Sequence, residues 1–324
     1  MLYIIRFPRV LLNVRRIAGD IVVRNMHEGA SFRAVVSRYI SLTKPGVLFG
    51  NVVTGVAGFC LASAAARAFH LGLLVATIIG MTLVIASACA LNNVLDRDID
   101  KIMTRTKKRA VASGAVRPVR ALAFSVVLGV AGLLVLALWT SALVAIIGAV
   151  GFVVYVWLYG ALSKRRSLHG TLVGSISGAA PILAGYVAAH GGFDIGAVLV
   201  FLALFFWQFP EFFSIAIYRQ KEYQAARIPV ITVVKGVAYT KIRIVLYAVL
   251  FVVSALLLTV FGYTHLIFAV GMAVSGGYWL VTAFAGLRAR GQEANDAWAR
   301  RLFHQSINML LLYSLLISIG PLLP

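Results

Sequence analysis

Three polar side chains recur at every fourth position directly after a long apolar run of the sequence. They are Asn92, Asp96 and Asp100, and the apolar run covers residues 71–91. On an α-helix this spacing places all three on one face, within about 80° of each other. Neighbouring carboxylates repel each other unless a cation joins them, and such oxygen ligands suit Mg²⁺. The pattern therefore predicts a Mg²⁺ site; the alternative is a solvated loop whose charges only end the helix.

A basic segment at residues 105–109 follows these acids and indicates what the metal would bind. Mg²⁺ in proteins commonly completes its ligand shell with water and substrate phosphate. Lys and Arg side chains close by can then bind the remaining phosphate oxygens. Lys164, in a later basic triplet, could also reach phosphate, although it is equally an ordinary anchor at the inner membrane face. We therefore expect a phosphorylated substrate.

A second polar group lies inside and just beyond an aromatic stretch of the chain. Gln208 and Glu211 are three residues apart, and Glu222 follows eleven residues later, so on one continuous helix the three would share a face. An ionisable residue inside a membrane span indicates a functional site by default, and Pro210 would kink the helix beside it. The alternative for Glu211 is a structural ion pair with a basic side chain. Glu211 and Glu222 are accordingly candidate catalytic residues, together with Asp96 and Asp100.

The composition places these groups in a membrane protein. Of 324 residues 61% are hydrophobic and only 12% are charged, which is typical of transmembrane helices. Nine apolar spans are each long enough to cross about 30 Å of hydrocarbon. They lie near residues 47–66, 71–92, 120–140, 142–161, 170–189, 196–217, 243–262, 265–287 and 304–322.

The distribution of basic residues sets the predicted orientation. All Lys and Arg residues except Arg67 fall in the N-terminal arm or in loops on the same side of the nine spans. The positive-inside rule then predicts that the N-terminus is inside and the C-terminus outside. The net charge of +20 therefore belongs to the membrane surface and to anionic ligands at one face, and we expect no nucleic-acid partner.

The first 44 residues form a basic arm before the nine-helix domain at residues 45–324. The arm is rich in Arg and poor in acids, which is typical both of a mitochondrial transit peptide and of an interfacial segment on anionic lipid. Its modest length favours a bacterial inner (plasma) membrane, with a mitochondrial inner membrane as the alternative. We predict an inside-facing arm of unassigned function.

Several of these motifs resemble the UbiA superfamily of intramembrane prenyltransferases, and within it the protoheme IX farnesyltransferases (heme O synthases). The resemblance runs from about residue 37 to about residue 310. Its superfamily-wide part is the Asn92, Asp96 and Asp100 motif with the basic segment after it. Its narrower part comprises the segments at residues 42–46, 93–100, 175–181, 207–210 and 222–236.

The resemblance implies nine helices around a central cavity, Mg²⁺ as cofactor, and farnesyl diphosphate and heme B as substrates in a lipid bilayer. It implies that Asn92, Asp96 and Asp100 hold the Mg²⁺-diphosphate. Terminal-oxidase and heme A synthase partners would accompany such an activity. The residues that it assigns to substrate binding, besides Asn92, are Arg105, Arg109, Lys164, Gln208, Arg219 and Tyr223.

Two positions depart from the family pattern. The family has His where this chain has Glu211, and Asp where this chain has Glu222. Glu for Asp keeps the charge on a longer side chain, whereas Glu for His changes the chemistry at the position. Two other functions stay open: prenyl transfer to another aromatic acceptor such as 4-hydroxybenzoate, and secondary transport with the acids as cation sites. Transporters place ion sites near the bilayer midplane, whereas these carboxylates fall at the inner surface, which favours phosphate chemistry.

Overall fold

The computed structural model describes residues 31–322 as a bundle of helices without a β-strand in that range. Nine of the helices there are long and apolar enough to cross a membrane, which confirms the predicted all-α, nine-span architecture. The helices are α1 (Phe32–Leu42), α2 (Pro45–Ala65), α3 (Leu71–Leu95), α4 (Arg97–Ile102), α5 (Pro118–Trp139), α6 (Ala142–Arg166), α7 (Gly170–His190), α8 (Ile195–Tyr218), α9 (Gln220–Ala225), α10 (Ile231–Val260), α11 (Leu266–Ala285) and α12 (Gln292–Ile319).

Two helices extend well beyond the spans predicted from hydropathy. Helix α10 begins at Ile231 instead of near residue 243, and α12 begins at Gln292 instead of near residue 304. Hydropathy detects only the part of a helix that lies in hydrocarbon, and both extensions carry basic residues typical of the inner interface. Helix α10 is also interrupted at Gly236, whose φ of 82° is readily adopted only by glycine.

The N-terminal arm lies partly within the described residues. Residues 1–30 lie outside the described residues, while α1 covers most of the remainder. Val35 and Leu42 are buried on one side of α1 and pack against Ala90 of α3 and against Val111. This contact holds the start of α2 beside the end of α3, where the predicted metal ligands lie. The separation of an arm at 1–44 from a domain at 45–324 stays a prediction.

The two polar segments that follow α3 and α8 meet at one end of the bundle. Ile99 and Met103, from residues 96–117, are buried against Ile228, from residues 219–230. This small apolar contact joins the two segments that carry the predicted chemistry. The two segments therefore lie on either side of one space, as expected if the residues they carry belong to one site.

Helices α2 and α7 cross closely because glycines lie at the contact. A Cβ on Gly185 would overlap the carbonyl oxygen of Gly55, and a Cβ on Gly58 would overlap the carbonyl oxygen of Ile182. Small residues allow such backbone approach in membrane bundles. These glycines thus allow the close packing that keeps α2 and α7 together as two adjacent walls of the interior.

Replacing Gly185 with Ala should destabilise the bundle by about 1–3 kcal/mol, because the added methyl group has to push two backbones apart. Gly277→Ala is the matched control, since a Cβ at Gly277 meets no atom within 4 Å. Thermal unfolding of both variants in detergent measures the difference. An unfolding midpoint of Gly185→Ala equal to that of Gly277→Ala would contradict the close crossing.

Candidate active site

A cavity of about 960 Å³ lies between α2, α3, α6, α7, α8 and α12 and continues between the two polar segments. Much of its lining is aliphatic and aromatic, while its charged residues are concentrated at the end formed by the polar segments. All of the predicted site residues except Glu222 line it. They are Asn92, Asp96, Asp100, Arg105, Arg109, Lys164, Gln208, Glu211, Arg219 and Tyr223.

The predicted metal ligands are buried, and each contacts a basic side chain. Asn92, Asp96 and Asp100 are at most 2% exposed. Lys164 Nζ donates to Asp96 Oδ2, which forms an ion pair between α6 and the end of α3. Arg109 Nη1 lies 2.9 Å from both carboxylate oxygens of Asp100. Such buried pairs offset the desolvation of their charges only where the geometry and additional hydrogen bonds are good.

The ligand set fits a Mg²⁺ ion that is shared with a substrate. Within residues 31–322 no group of three His, Cys, Asp or Glu side chains forms a complete metal site. Asp96 Oδ1 and Asn92 Nδ2 are buried and have no hydrogen-bond partner in the described part of the chain. An unpaired buried carboxylate oxygen is costly, and a cation would satisfy it. Two carboxylates and one amide match the way Mg²⁺ is bound together with substrate phosphates.

Lys44 is a site residue that the sequence analysis did not assign. Its Nζ donates to Asn92 Oδ1 at 2.6 Å, and the residue lines the cavity. Pro45 follows it and disfavours the right-handed helical conformation at Lys44. Lys44 has a φ of 53° and separates α1 from α2. Burial lowers the pKa of Lys44 to about 8, which leaves it cationic at neutral pH. Local sequence marks this position only by the Lys-Pro pair. The contact with Asn92 joins residues 48 positions apart, so local spacing does not predict it.

The inner half of α6 is a π-helix, from Val154 to Ser163, directly before Lys164. Tyr155 and Tyr159 on this segment also line the cavity, with ring centroids 5.7 Å apart. Lys164 Nζ lies 6.0 Å from the ring centroid of Tyr159. Long π-helical segments are rare and often occur at functional sites. Here the segment brings two rings and a cation to the same wall as Asp96, which helical periodicity alone does not predict.

A neighbouring ion pair fixes this wall without entering the cavity. Arg165 Nη1 and Nη2 donate to the two carboxylate oxygens of Asp98, each at 2.7 Å. These hydrogen bonds lower the pKa of Asp98 to about 2, so the carboxylate stays ionised. The ion pair of Asp98 and Arg165 therefore joins α4 to α6. The Arg165 guanidinium is occupied by Asp98 and is not available to a phosphate.

The second polar group is only partly arranged as predicted. Gln208 and Glu211 both line the cavity, but α8 ends at Tyr218 and Arg219 has non-helical angles, φ −116° and ψ 19°. The prediction that Glu222 continues the same helical face was therefore wrong, since a turn intervenes. Glu222 Oε1 instead accepts from Arg219 Nη1 at 2.6 Å, and it is Arg219 that lines the cavity. A catalytic role of Glu222 stays a prediction.

Comparisons with known proteins give one consistent result. The model of the UbiA prenyltransferase family matches residues 51–307. A protoheme IX farnesyltransferase of Yersinia pseudotuberculosis is 43% identical over 286 residues, covering 88% of this chain and 95% of that protein. One from Photorhabdus laumondii is 41% identical over 290 residues, covering 90% and 97%.

Solved structures show the same fold at low sequence identity. A digeranylgeranylglyceryl phosphate synthase structure has a TM-score of 0.73 at 17% identity and covers 88% of this chain and 98% of its own. The structure of a UbiA homologue from Archaeoglobus fulgidus, bound to DMAPP and Mg²⁺, has a TM-score of 0.64 at 12% identity and covers 84% and 99%. These two structures are similar to this chain in the arrangement of their helices.

Proposed function

This chain belongs to the UbiA prenyltransferase family, and from that premise we propose that it transfers the farnesyl group of farnesyl diphosphate to a vinyl group of heme B. Water is added in the same reaction, and the products are heme O and diphosphate. The relatives that are 41–43% identical over most of the chain support heme as the acceptor. This similarity favours heme over 4-hydroxybenzoate or another small aromatic acceptor.

One observation carries the proposal: the basic residues of a largely apolar cavity are all at one end of it. Within residues 31–322, five basic residues line the cavity, and Asp96 and Asp100 are the acids that line the same end. The excess of positive charge suits a diphosphate, and the apolar remainder suits a farnesyl chain and a porphyrin. A transporter would instead place its ion site near the bilayer midplane. The basic residues are Lys44, Arg105, Arg109, Lys164 and Arg219.

In the proposed reaction the basic residues bind the diphosphate and stabilise the negative charge that it gains when the allylic C–O bond breaks. Stabilisation of a leaving group by prearranged charges is commonly the largest contribution to catalysis. Asn92, Asp96 and Asp100 would hold a Mg²⁺ ion, which supplies Lewis-acid stabilisation of the same oxygens when it is bound. The pairing of Lys164 with Asp96 and of Arg109 with Asp100 orients these cations in advance.

The apolar residues that line the cavity also exclude bulk water. A farnesyl cation reacts with any water nearby, so the cavity has to protect it until the heme vinyl group attacks. Phe152, Phe212 and Phe213 are among the aromatic residues of the lining. Such exclusion of water also strengthens the electrostatic interactions at the charged end.

The nine apolar helices within residues 31–322 make this a multi-pass membrane protein. We propose the bacterial inner membrane as its location because the relatives that it matches are bacterial. An inside-facing N-terminus would place the charged end of the cavity at the cytoplasmic surface. Farnesyl diphosphate, which is anionic, would then reach the site from the side on which the basic loops lie. Terminal-oxidase or heme A synthase partners stay a prediction.

The proposal is tested by incubating the purified protein with heme B, farnesyl diphosphate and Mg²⁺ and analysing the hemes by mass spectrometry. Heme O is the expected product, and 4-hydroxybenzoate offered in place of heme should remain unchanged. Prenylation of 4-hydroxybenzoate without formation of heme O would refute the heme assignment. Absence of any consumption of farnesyl diphosphate would instead reopen the transporter hypothesis.

Removing Mg²⁺ with a chelator should lower formation of heme O to background. Asp96 and Asp100 would bind the diphosphate through the metal, and without the metal their carboxylates would repel it. Adding back excess Mg²⁺ should restore the rate. The heme assay with and without chelator is the measurement. Unchanged turnover in the chelator would contradict the metal assignment while leaving farnesyl transfer itself intact.

A further inference from the structure

One acid of the cavity lies away from the charged end. Glu211 lines the cavity on α8, seven residues before the end of that helix at Tyr218. At 1.5 Å per residue it lies about 10 Å deeper than the helix end. The basic residues of the lining belong to helix ends and to the polar segments. Glu211 thus lies about two helical turns before Arg219, the basic residue that follows α8.

The carboxylate of Glu211 has no protein partner in the described part of the chain. No hydrogen bond or neighbouring charge there acts on it. Gln208, one turn earlier, directs its Nε2 to the carbonyl oxygens of Ser175 and Leu204, at 3.0 and 2.9 Å, and so does not donate to Glu211. The structural ion pair considered from the sequence is therefore absent among residues 31–322.

Apolar residues make up much of the cavity that Glu211 lines. Phe212 follows it in the chain, and Pro181, Ile307 and Leu310 from α7 and α12 line the same cavity. An unpaired ionisable group in such a setting costs several kcal/mol. An interaction with a bound ligand explains why Glu211 is present at this position. The interacting group of that ligand has to be one that donates a hydrogen bond or a proton to the carboxylate.

The proposed reaction contains one step with that requirement, the addition of water. Resting on the proposed function, we propose that Glu211 is the base that accepts a proton from the water molecule that captures the heme-side carbocation. The diphosphate oxygen would bind at the charged end, and the farnesyl carbon attached to it only a few bonds deeper. The acceptor carbon would then lie deeper again, towards the level of Glu211.

The bonds and charges of the step balance. The C–O bond to diphosphate breaks first, and diphosphate leaves with that electron pair. The electron pair of the vinyl double bond then forms the bond between the terminal vinyl carbon and the farnesyl cation. The inner vinyl carbon becomes the carbocation. The oxygen of water bonds to it, and one proton of that water passes to Glu211, which later returns it to solvent. Without a base beside the water, the carbocation instead loses a proton from the adjacent carbon and gives an alkene that is lighter than heme O by one water.

The test measures the product distribution of Glu211→Gln, which keeps the shape and can still hydrogen-bond water but cannot accept a proton. Formation of heme O should fall by about 100-fold, the usual contribution of a positioned base, while cleavage of farnesyl diphosphate continues and the alkene accumulates. Glu211→His should restore the hydroxylated product, with activity kept or raised, because imidazole also accepts a proton. Glu293→Gln, at an exposed position near the start of α12, is the matched control.

Each outcome decides the proposal. Heme O formed by Glu211→Gln at the wild-type rate refutes the role, as does a folded Glu211→Gln that no longer cleaves farnesyl diphosphate, since the residue would then act earlier. A folded but inactive Glu211→His protein also refutes it. If Glu211→Gln does not fold, Glu211→Ala with added formate replaces it, and recovery of heme O with formate supports the assignment while its absence overturns it. Wild-type protein that makes no farnesylated heme refutes the proposed function itself.

Discussion

Asp96→Asn should abolish turnover, with heme O formation falling by at least about 1000-fold. The substitution keeps the shape of the side chain but removes the buried charge that contacts Lys164 and whose Oδ1 has no other partner among the described residues. The variant therefore loses a metal ligand and leaves Lys164 without its counter-charge. The heme assay measures turnover, and size-exclusion chromatography with circular dichroism shows that the protein is folded.

Asp98→Asn is the control for this prediction. Asp98 lies two residues away on the same polar segment, but it is exposed and bonded to Arg165 outside the cavity. Exposed ion pairs contribute about 0–1 kcal/mol, so Asp98→Asn should keep turnover near the wild-type rate. Near-normal heme O formation by Asp96→Asn would remove the Mg²⁺ assignment. An equal loss in both variants would indicate that the segment matters only for folding.

Lys164→Met should lower kcat/KM for farnesyl diphosphate by about 100-fold. The change removes one cation that faces the leaving group and leaves the Asp96 carboxylate buried without its ion-pair partner, which also costs about 3–5 kcal/mol of stability. Steady-state kinetics with heme B held constant measure the first effect. The KM for heme B should not change, because Lys164 lies at the charged end of the cavity.

Arg166→Met is the matched control for Lys164→Met. Arg166 lies at the same end of α6 but is exposed and does not line the cavity. We expect this variant to keep wild-type kinetics and Lys164→Arg to recover part of the lost activity, since the charge is retained. Equal kinetic parameters for the Lys164→Met and Arg166→Met proteins would show that Lys164 does not contact the diphosphate.

Lys44, which the sequence did not assign, and Glu211, which it did, differ in their partners within this cavity. Lys44 is bonded to Asn92 and forms part of the charged end. Glu211 has no such partner within residues 31–322 and lies among apolar side chains. The contact with Asn92 explains the presence of Lys44, whereas the presence of Glu211 requires a further ligand. In the proposed reaction the two ends of one cavity have separate tasks, release of diphosphate and capture of the carbocation.

The sequence by itself determined the nine spans, and it predicted the ligand triplet of Asn92, Asp96 and Asp100. Both follow from local physics: hydrocarbon requires about 20 apolar residues per helix, and helical geometry brings every fourth residue to one face. The predicted inside-facing loops rest on the same kind of local count, because basic residues concentrate on one side of the membrane.

Only the tertiary structure decided which side chains complete the site. Lys164 meets Asp96 across 68 positions of the chain, and Lys44 meets Asn92 across 48. The turn at Arg219 removed Glu222 from the face of Glu211, although both acids fit one helical period. Local periodicity cannot predict such contacts, because they depend on how separate helices pack and on where each helix ends. The sequence determined which chemistry was available, and the packing of the helices decided where it could act.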